Sequence, residues 1–212
     1  RVATHYLAAA AALEAAAAQP ALLRRTVEDA RRSLAADEAP LAIDYEAPTA
    51  PATLGFIDAV TGEARPVKVA LKDSRRVRVT ARRARPAGYL LTAEAAGLFD
   101  VLRVKGVATC AAAARPLAVE AYRLRVDRIA GFTAREAIHG ERTVSATLQP
   151  ATITPAPGAV YVPMDQPQSA VVAAVLEPDA PGSYVAVGLA RLSPDGEPPI
   201  YRVPAGATDV CA

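Results

Sequence analysis

Two histidines make up the whole imidazole supply of this chain, and neither stands where a hydrolytic metal site needs it. A zinc hydrolase brings imidazole and carboxylate ligands onto one ion and keeps a position open for water. His5 continues as Tyr6-Leu7-Ala8, with no acid at a useful spacing. His139-Gly140-Glu141 places its acid two residues on, in an expected loop. Both histidines read as structural or exposed. No Gly-x-Ser-x-Gly elbow occurs, and Gly182-Ser183-Tyr184 lacks the second glycine and a nearby base. Lys68, Lys72 and Lys105 stand outside any glycine-rich phosphate loop. Asp44, Glu46 and Asp58 are carboxylates of the type used in acid–base work, but solvated strand positions explain them more simply. The chain is therefore expected to hold no catalytic residue, no metal ligand and no cofactor of its own.

The densest charge feature is Arg75, Arg76, Arg78, Arg82, Arg83 and Arg85. Its functional reading is a docking strip for an acidic partner, a carboxylate-bearing peptide or a polyanion. Its simpler reading is the outer face of one strand plus the exit loop, balanced by acids elsewhere. Tyr89 is the one adjacent aromatic, which leaves base stacking poorly supported. The 24 basic and 22 acidic residues give a net charge of +2, without the basic excess of a nucleic-acid binder. Cys110 and Cys211 are the only cysteines, which excludes a cysteine zinc cluster. Paired, they would close a long loop worth on the order of 4 kcal/mol. Without knowledge of the compartment, the reading favours two unpaired thiols.

The elements that must position these groups follow from periodicity. The chain begins at Arg1, which suggests a segment upstream. Val2, Tyr6, Ala9 and Leu13 recur at helical spacing, as do Leu23, Val27, Ala30 and Leu34. Pro20 suits the first turn of the second helix, and Glu28 is spaced to pair with Arg32. No stretch reaches the roughly 20 apolar residues of a membrane span, so a soluble chain is expected. After Pro40, Leu41, Ile43 and Tyr45 alternate with Asp44 and Glu46, as on a half-buried strand. Runs at residues 53–60 and 66–71 flank Thr61-Gly62-Glu63, a hairpin turn. A further run at 75–80 completes an expected antiparallel meander.

Gly88-Tyr89-Leu90-Leu91 is extended, Thr92 is placed to cap a helix through Arg103, and Gly106 suits its C-terminal cap. Long strands follow at 119–129 and 143–148. Val160-Tyr161-Val162-Pro163 is again extended, and Asp165 with Gln168 resembles a capping box before a helix at 169–176. Offset by about 71 residues, these two strand-to-helix units form a weak internal similarity that chance explains equally well. Residues 184–189 and 200–203 read as closing strands. The fold class is α+β, with helical residues 1–38 before a mainly antiparallel body at 39–212 and helices packed on one side.

Three stretches in this order carry a resemblance. Arg85-Pro86-Ala87-Gly88-Tyr89-Leu90-Leu91 leads through a helix to Val104-Lys105-Gly106-Val107, and Val119-Glu120-Ala121-Tyr122 follows. Then come Val160-Tyr161-Val162-Pro163-Met164-Asp165-Gln166-Pro167, a helix, and Leu176-Glu177-Pro178. Together they resemble the region after the zinc site in bacterial zinc carboxypeptidases of the M14 type. The resemblance implies that residues 1–38 end an upstream catalytic domain and that 39–212 are a non-catalytic accessory domain. It implies a parent that removes C-terminal residues through a zinc-activated water and a glutamate base, with its His-x-x-Glu and later histidine upstream of Arg1. It also implies a periplasmic or extracellular location. No position here matches those ligands. The alternative from the residues themselves is an independent module that binds peptide or envelope polymer through the arginine strip.

Overall fold

The structure, a computed structural model, describes residues 2–130 and 141–212. Helices α1 (Val2–Ala18) and α2 (Pro20–Ala35) lead the chain and meet at a bend of 90°. Among the described residues no single helix is long and apolar enough to cross a membrane. Pro20 occupies the first turn of α2, where a missing N–H costs nothing. The expected Glu28–Arg32 pair is replaced by Arg32 with Asp29, three residues apart. Both spacings lie within reach on a helix surface, and between exposed groups the choice is worth little. Neither helix buries a residue, so Val2, Tyr6, Leu13, Leu22 and Leu23 remain exposed. The end of α2 is fastened to the body at Leu34, whose carbonyl accepts from Arg85 at 3.3 Å and from Ser169 Oγ at 3.0 Å.

The strands after Pro40 do not form a meander. Strand β1 (Leu41–Glu46) pairs antiparallel with β4 (Arg78–Arg83), while β2 (Thr49–Ile57) and β3 (Ala64–Lys72) form a separate hairpin between them. Register explains the split. Ala52, Leu54 and Phe56 of β2 stand opposite Val69, Val67 and Arg65 of β3, so the hairpin matches its own apolar face. The hairpin turn forms as expected, with Gly62 at φ +74° and the Asp58 carboxylate accepting from the N–H groups of Val60 and Thr61. In β1, Leu41 and Ile43 enter the core, but Tyr45 stays 57% exposed because the register shifts on either side of Asp44 break the alternation. Strand β4 starts at Arg78 rather than Arg75, because Asp73 accepts from the backbone of Arg75 and Arg76 and holds a turn there.

The body is a six-stranded antiparallel sheet built from β5 (Gly88–Leu91), β6 (Cys110–Ala111), β7 (Leu117–Ala130), β8 (Glu141–Ile153), β9 (Val160–Pro163) and β10 (Ile200–Val203). Its order is β6-β9-β5-β10-β7-β8. Helices α3 (Ala96–Val104) and α4 (Ser169–Leu176) share one core cluster through Leu98, Leu102, Val172 and Leu176, so both cover the same face. A smaller cluster of Leu90, Leu117, Val119, Tyr161, Val203 and Val210 fills the other face. The chain is thus α+β, as its periodicity predicts.

The two similar strands, β5 and β9, are antiparallel neighbours, with Tyr89 opposite Val162. Their contact is tight enough that a Cβ on Gly88 would fall 2.4 Å from the Tyr161 ring. Gly106, at φ +73°, closes α3 in a Schellman arrangement: Val107 N–H bonds Leu102 O at 3.2 Å and Gly106 N–H bonds Arg103 O at 2.9 Å. Two expected caps fail. The Thr92 hydroxyl is buried without a partner, because a 3₁₀ turn at Ala93–Ala95 precedes α3 and uses the Thr92 carbonyl instead. No side-chain cap forms at α4 either. The Gln166 side chain there accepts from Ala108 N–H at 2.7 Å and donates to Pro163 O at 2.6 Å, joining two loops. Residues 184–188 form a turn rather than a strand, buried at Tyr184 to Ala186, with Leu189 exposed; Ser183 Oγ donates to Pro178 O at 2.7 Å and accepts from Ala186 N–H.

Cys110 and Cys211 form a disulfide across 101 residues, against the expectation of free thiols. The sheet brings them together: β6 is an edge strand, and the segment after β10 returns to lie along it. Closing so long a loop restricts the unfolded chain and contributes about 4 kcal/mol in the chain-entropy picture. Replacing both cysteines by serine is expected to lower the melting temperature by roughly 10 °C. A calorimetric comparison of the oxidised protein and the double variant checks this, and coincident melts would remove the cross-link from the stability account.

Candidate functional site

The strongest concentration of buried charge lies where β4, β5, β7, β10 and the end of α4 meet. Glu177 follows Leu176, the last residue of α4, and is completely enclosed. Its Oε1 accepts the Tyr89 hydroxyl at 2.7 Å, and its Oε2 is paired with the Arg83 guanidinium. Arg202, 1% exposed, brings Nε to 3.1 Å from Glu177 Oε1, although off the line a hydrogen bond requires. Arg202 also bonds Glu120 Oε2 at 2.8 Å and the Ala84 carbonyl. Arg83 grips Asp179 through two contacts of 2.9 Å, reaches Ala146 O at 3.2 Å and lies 5.9 Å from the centre of the Tyr122 ring.

Two guanidinium groups and three carboxylates therefore form one cluster with a formal charge of −1, enclosed at Glu177 and Arg202 and open to solvent at Glu120. Burial pulls the Arg83 guanidinium toward neutrality, but the bonded Asp179 and the charge of Glu177 outweigh it and hold the group protonated. Burial first, and the neighbouring Glu177 second, push the hydroxyls of Tyr89 and Tyr122 well above the ordinary tyrosine range. Tyr122 keeps a buried hydroxyl with no hydrogen-bond partner. Both Glu177 oxygens are engaged and the group is sealed from water, so it has no side from which to meet a substrate. Its chemistry is that of a clamp.

The expected arginine strip divides in two. Arg83 enters this clamp, and Arg85 faces Asp37 at 3.3 Å beneath the end of α2. Arg75, Arg76, Arg78 and Arg82 stay exposed on or beside the β1–β4 ribbon. Arg75 bonds Asp73 at 2.9 Å and Arg76 lies 3.8 Å from the same carboxylate, while Arg78 pairs with Glu46. The Arg75 side chain, and then its backbone N–H, hold the Asp73 carboxyl down to about 2. Arg82 has no ion pair among the described residues. The six side chains thus do not make one continuous face.

Other candidate groups stay apart. His5 lies exposed on α1, and His139 falls outside the described residues. Asp58 caps the hairpin turn and pairs with Arg65 at 3.1 Å, far along the chain from Glu46 and its Arg78. Among the described residues no three His, Cys, Asp or Glu side chains gather as a metal ion requires. Comparison with protein-family models, with curated proteins and with solved structures finds no match to this chain.

Glu177, Arg202 and Glu120 were hidden in the sequence because their partners are distant along it; the one hint is an acid set directly behind a helix that is apolar after Ser169. Changing Glu177 to Gln removes the enclosed charge that Arg83 and Arg202 share and sets an amide NH2 against the Arg83 guanidinium or the Tyr89 hydroxyl; it is expected to cost about 3–5 kcal/mol, read as a shift of the urea midpoint. A shift below about 1 kcal/mol would show the clamp to be dispensable. The tyrosines set the alkaline limit. Because the folded protein holds these hydroxyls protonated above the unfolded value, their contribution is complete below about pH 10 and is lost as pH rises further. Tyrosinate absorbance should therefore show a late step that coincides with loss of the circular dichroism signal; ionisation of all seven tyrosines before unfolding would contradict this.

Proposed function

We propose that this chain is a non-catalytic accessory region of a zinc carboxypeptidase-like protein, packing against an upstream catalytic domain and shaping access to its cleft. One observation carries the reading. The short patterns behind the resemblance, dispersed along the chain, meet in a single core: Tyr89 of the first bonds Glu177 of the last at 2.7 Å across 88 residues, and Tyr122 and Glu120 of the middle one border the same clamp. Patterns that converge on one buried ion cluster have a physical reason to occur in a fixed order. The exposed apolar residues of α1 and α2 add to this, since Val2, Tyr6, Leu7, Leu13, Leu22 and Leu23 would gain burial against a preceding domain.

Zinc does not fit the residues described here, because they offer no convergent donor set. The catalytic metal of the proposed parent belongs to the upstream domain, and no step of peptide hydrolysis is assigned to this chain. Residues 1–212 prepared alone should bind no stoichiometric zinc and release no C-terminal amino acid from peptides. The same chain in its native reading frame should be preceded by a His-x-x-Glu segment and a later histidine. Zinc-dependent hydrolysis by residues 1–212, or a preceding frame without those ligands, would overturn the proposal.

A further inference from the structure

We propose that residues 208–212 are a redox-released strap over the open edge of the six-stranded sheet. Strand β6 pairs on one side with β9. Its other side is covered by the segment that follows β10: Ala112 bridges Cys211, Ala113 N–H bonds Val210 O at 2.8 Å, and Ala212 N–H bonds Ala111 O at 2.9 Å. An edge strand left bare presents unpaired backbone groups to any passing chain, and here the protein supplies its own cover. The Cys110–Cys211 disulfide makes that cover covalent.

Few contacts would hold the strap without the cross-link. Val210 is its one buried side chain, set among Leu90, Leu117 and Val203. Arg115 adds bonds to the Thr208 and Asp209 carbonyls at 2.9 and 2.8 Å, but from an exposed position. Against these, Asp209 is held at φ +54°, a left-handed conformation that costs a residue with a Cβ. Between β10 and the strap lies a turn at Pro204 to Ala207 with Gly206 at φ +83°, a ready hinge. Release uncovers the backbone of residues 111–113. Cys110, Ala111 and Ala112, to which the strap is bonded, also line a cleft of about 480 Å³ with Phe99, Pro157 and Val160.

The releasing chemistry is a two-electron reduction by a dithiol. Its thiolate attacks Sγ of Cys211, the exposed partner, and the half-buried Cys110 leaves as a thiolate and takes up a proton. The second thiol of the reductant then displaces Cys211 from the mixed disulfide, leaving two protein thiols and one oxidised dithiol. The strap swings away while the central strands remain.

Hydrogen exchange of the full chain with and without dithiothreitol tests this, with complete reduction verified by mass. The amides of Ala113 and Ala212 should exchange at least about tenfold faster in the reduced protein, and at least about tenfold faster there than Tyr89 of β5 and Val162 of β9, whose protection falls no further than the lost global stability requires. The Cys211→Ser variant should show the same local release without reductant. Unchanged exchange at Ala113 and Ala212 in either reduced form would overturn the proposal. Exchange at Ala113 and Ala212 no faster than at Tyr89 and Val162 in the reduced protein would overturn it too, because the strap would then open only with the whole fold.

Discussion

One carboxylate, that of Glu177, organises more of this molecule than any other side chain. Enclosing a charge is costly unless every lone pair finds a donor. That demand draws Arg83 from the end of β4, Tyr89 from β5 and Arg202 from β10 onto a single point behind α4. Each of those arginines then needs further acceptors, which Asp179, Glu120 and the carbonyls of Ala84 and Ala146 provide. A purely apolar packing of the same elements would tolerate small slips in register. A network of directed bonds does not, so the clamp fixes how the β1–β4 ribbon sits on the main sheet.

Outside that centre the chain is generous with surface. The two leading helices bury nothing, and the β2–β3 hairpin leaves Phe56 and Val67 nearly half exposed. A two-stranded hairpin has little stability by itself. This one is held by its own cross-strand matches and by Asp58, whose carboxylate, with bonds from Val60, Thr61 and then Arg65, stays below the usual range. The division between a tightly bonded body and loosely supported arms is what an accessory region that presents surface to a neighbouring domain would need.

The local features were legible and the distant ones were not. Thr61-Gly62 announces a hairpin, Gly106 a helix end and Pro20 a helix start, because each acts within a few residues. The extended runs of β5, β7, β8 and β9 were legible for the same reason. The pairing of β1 with β4 was invisible, since a hairpin lies between them and nothing in either strand names its partner. Arg83 looked like its surface neighbours because the groups it bonds lie more than 60 positions away. The run from Tyr184 has the composition of a strand, but the Ser183 hydroxyl and local backbone bonds fold it into a turn. The cysteines needed the sheet order before they could be joined.

The order of that sheet has a consequence for biosynthesis. Its last strand in sequence, β10, lies between β5 and β7, so the strands made earlier form two separated halves, β6-β9-β5 and β7-β8. While the chain is still emerging from the ribosome these halves have no shared ladder, and Glu177 waits for Arg202 with Arg83 and Tyr89 alone. Contacts of such long sequence separation form slowly. The body therefore closes only after β10 has been made, and until then the facing edges of β5 and β7 are exposed to chaperones and to other nascent chains.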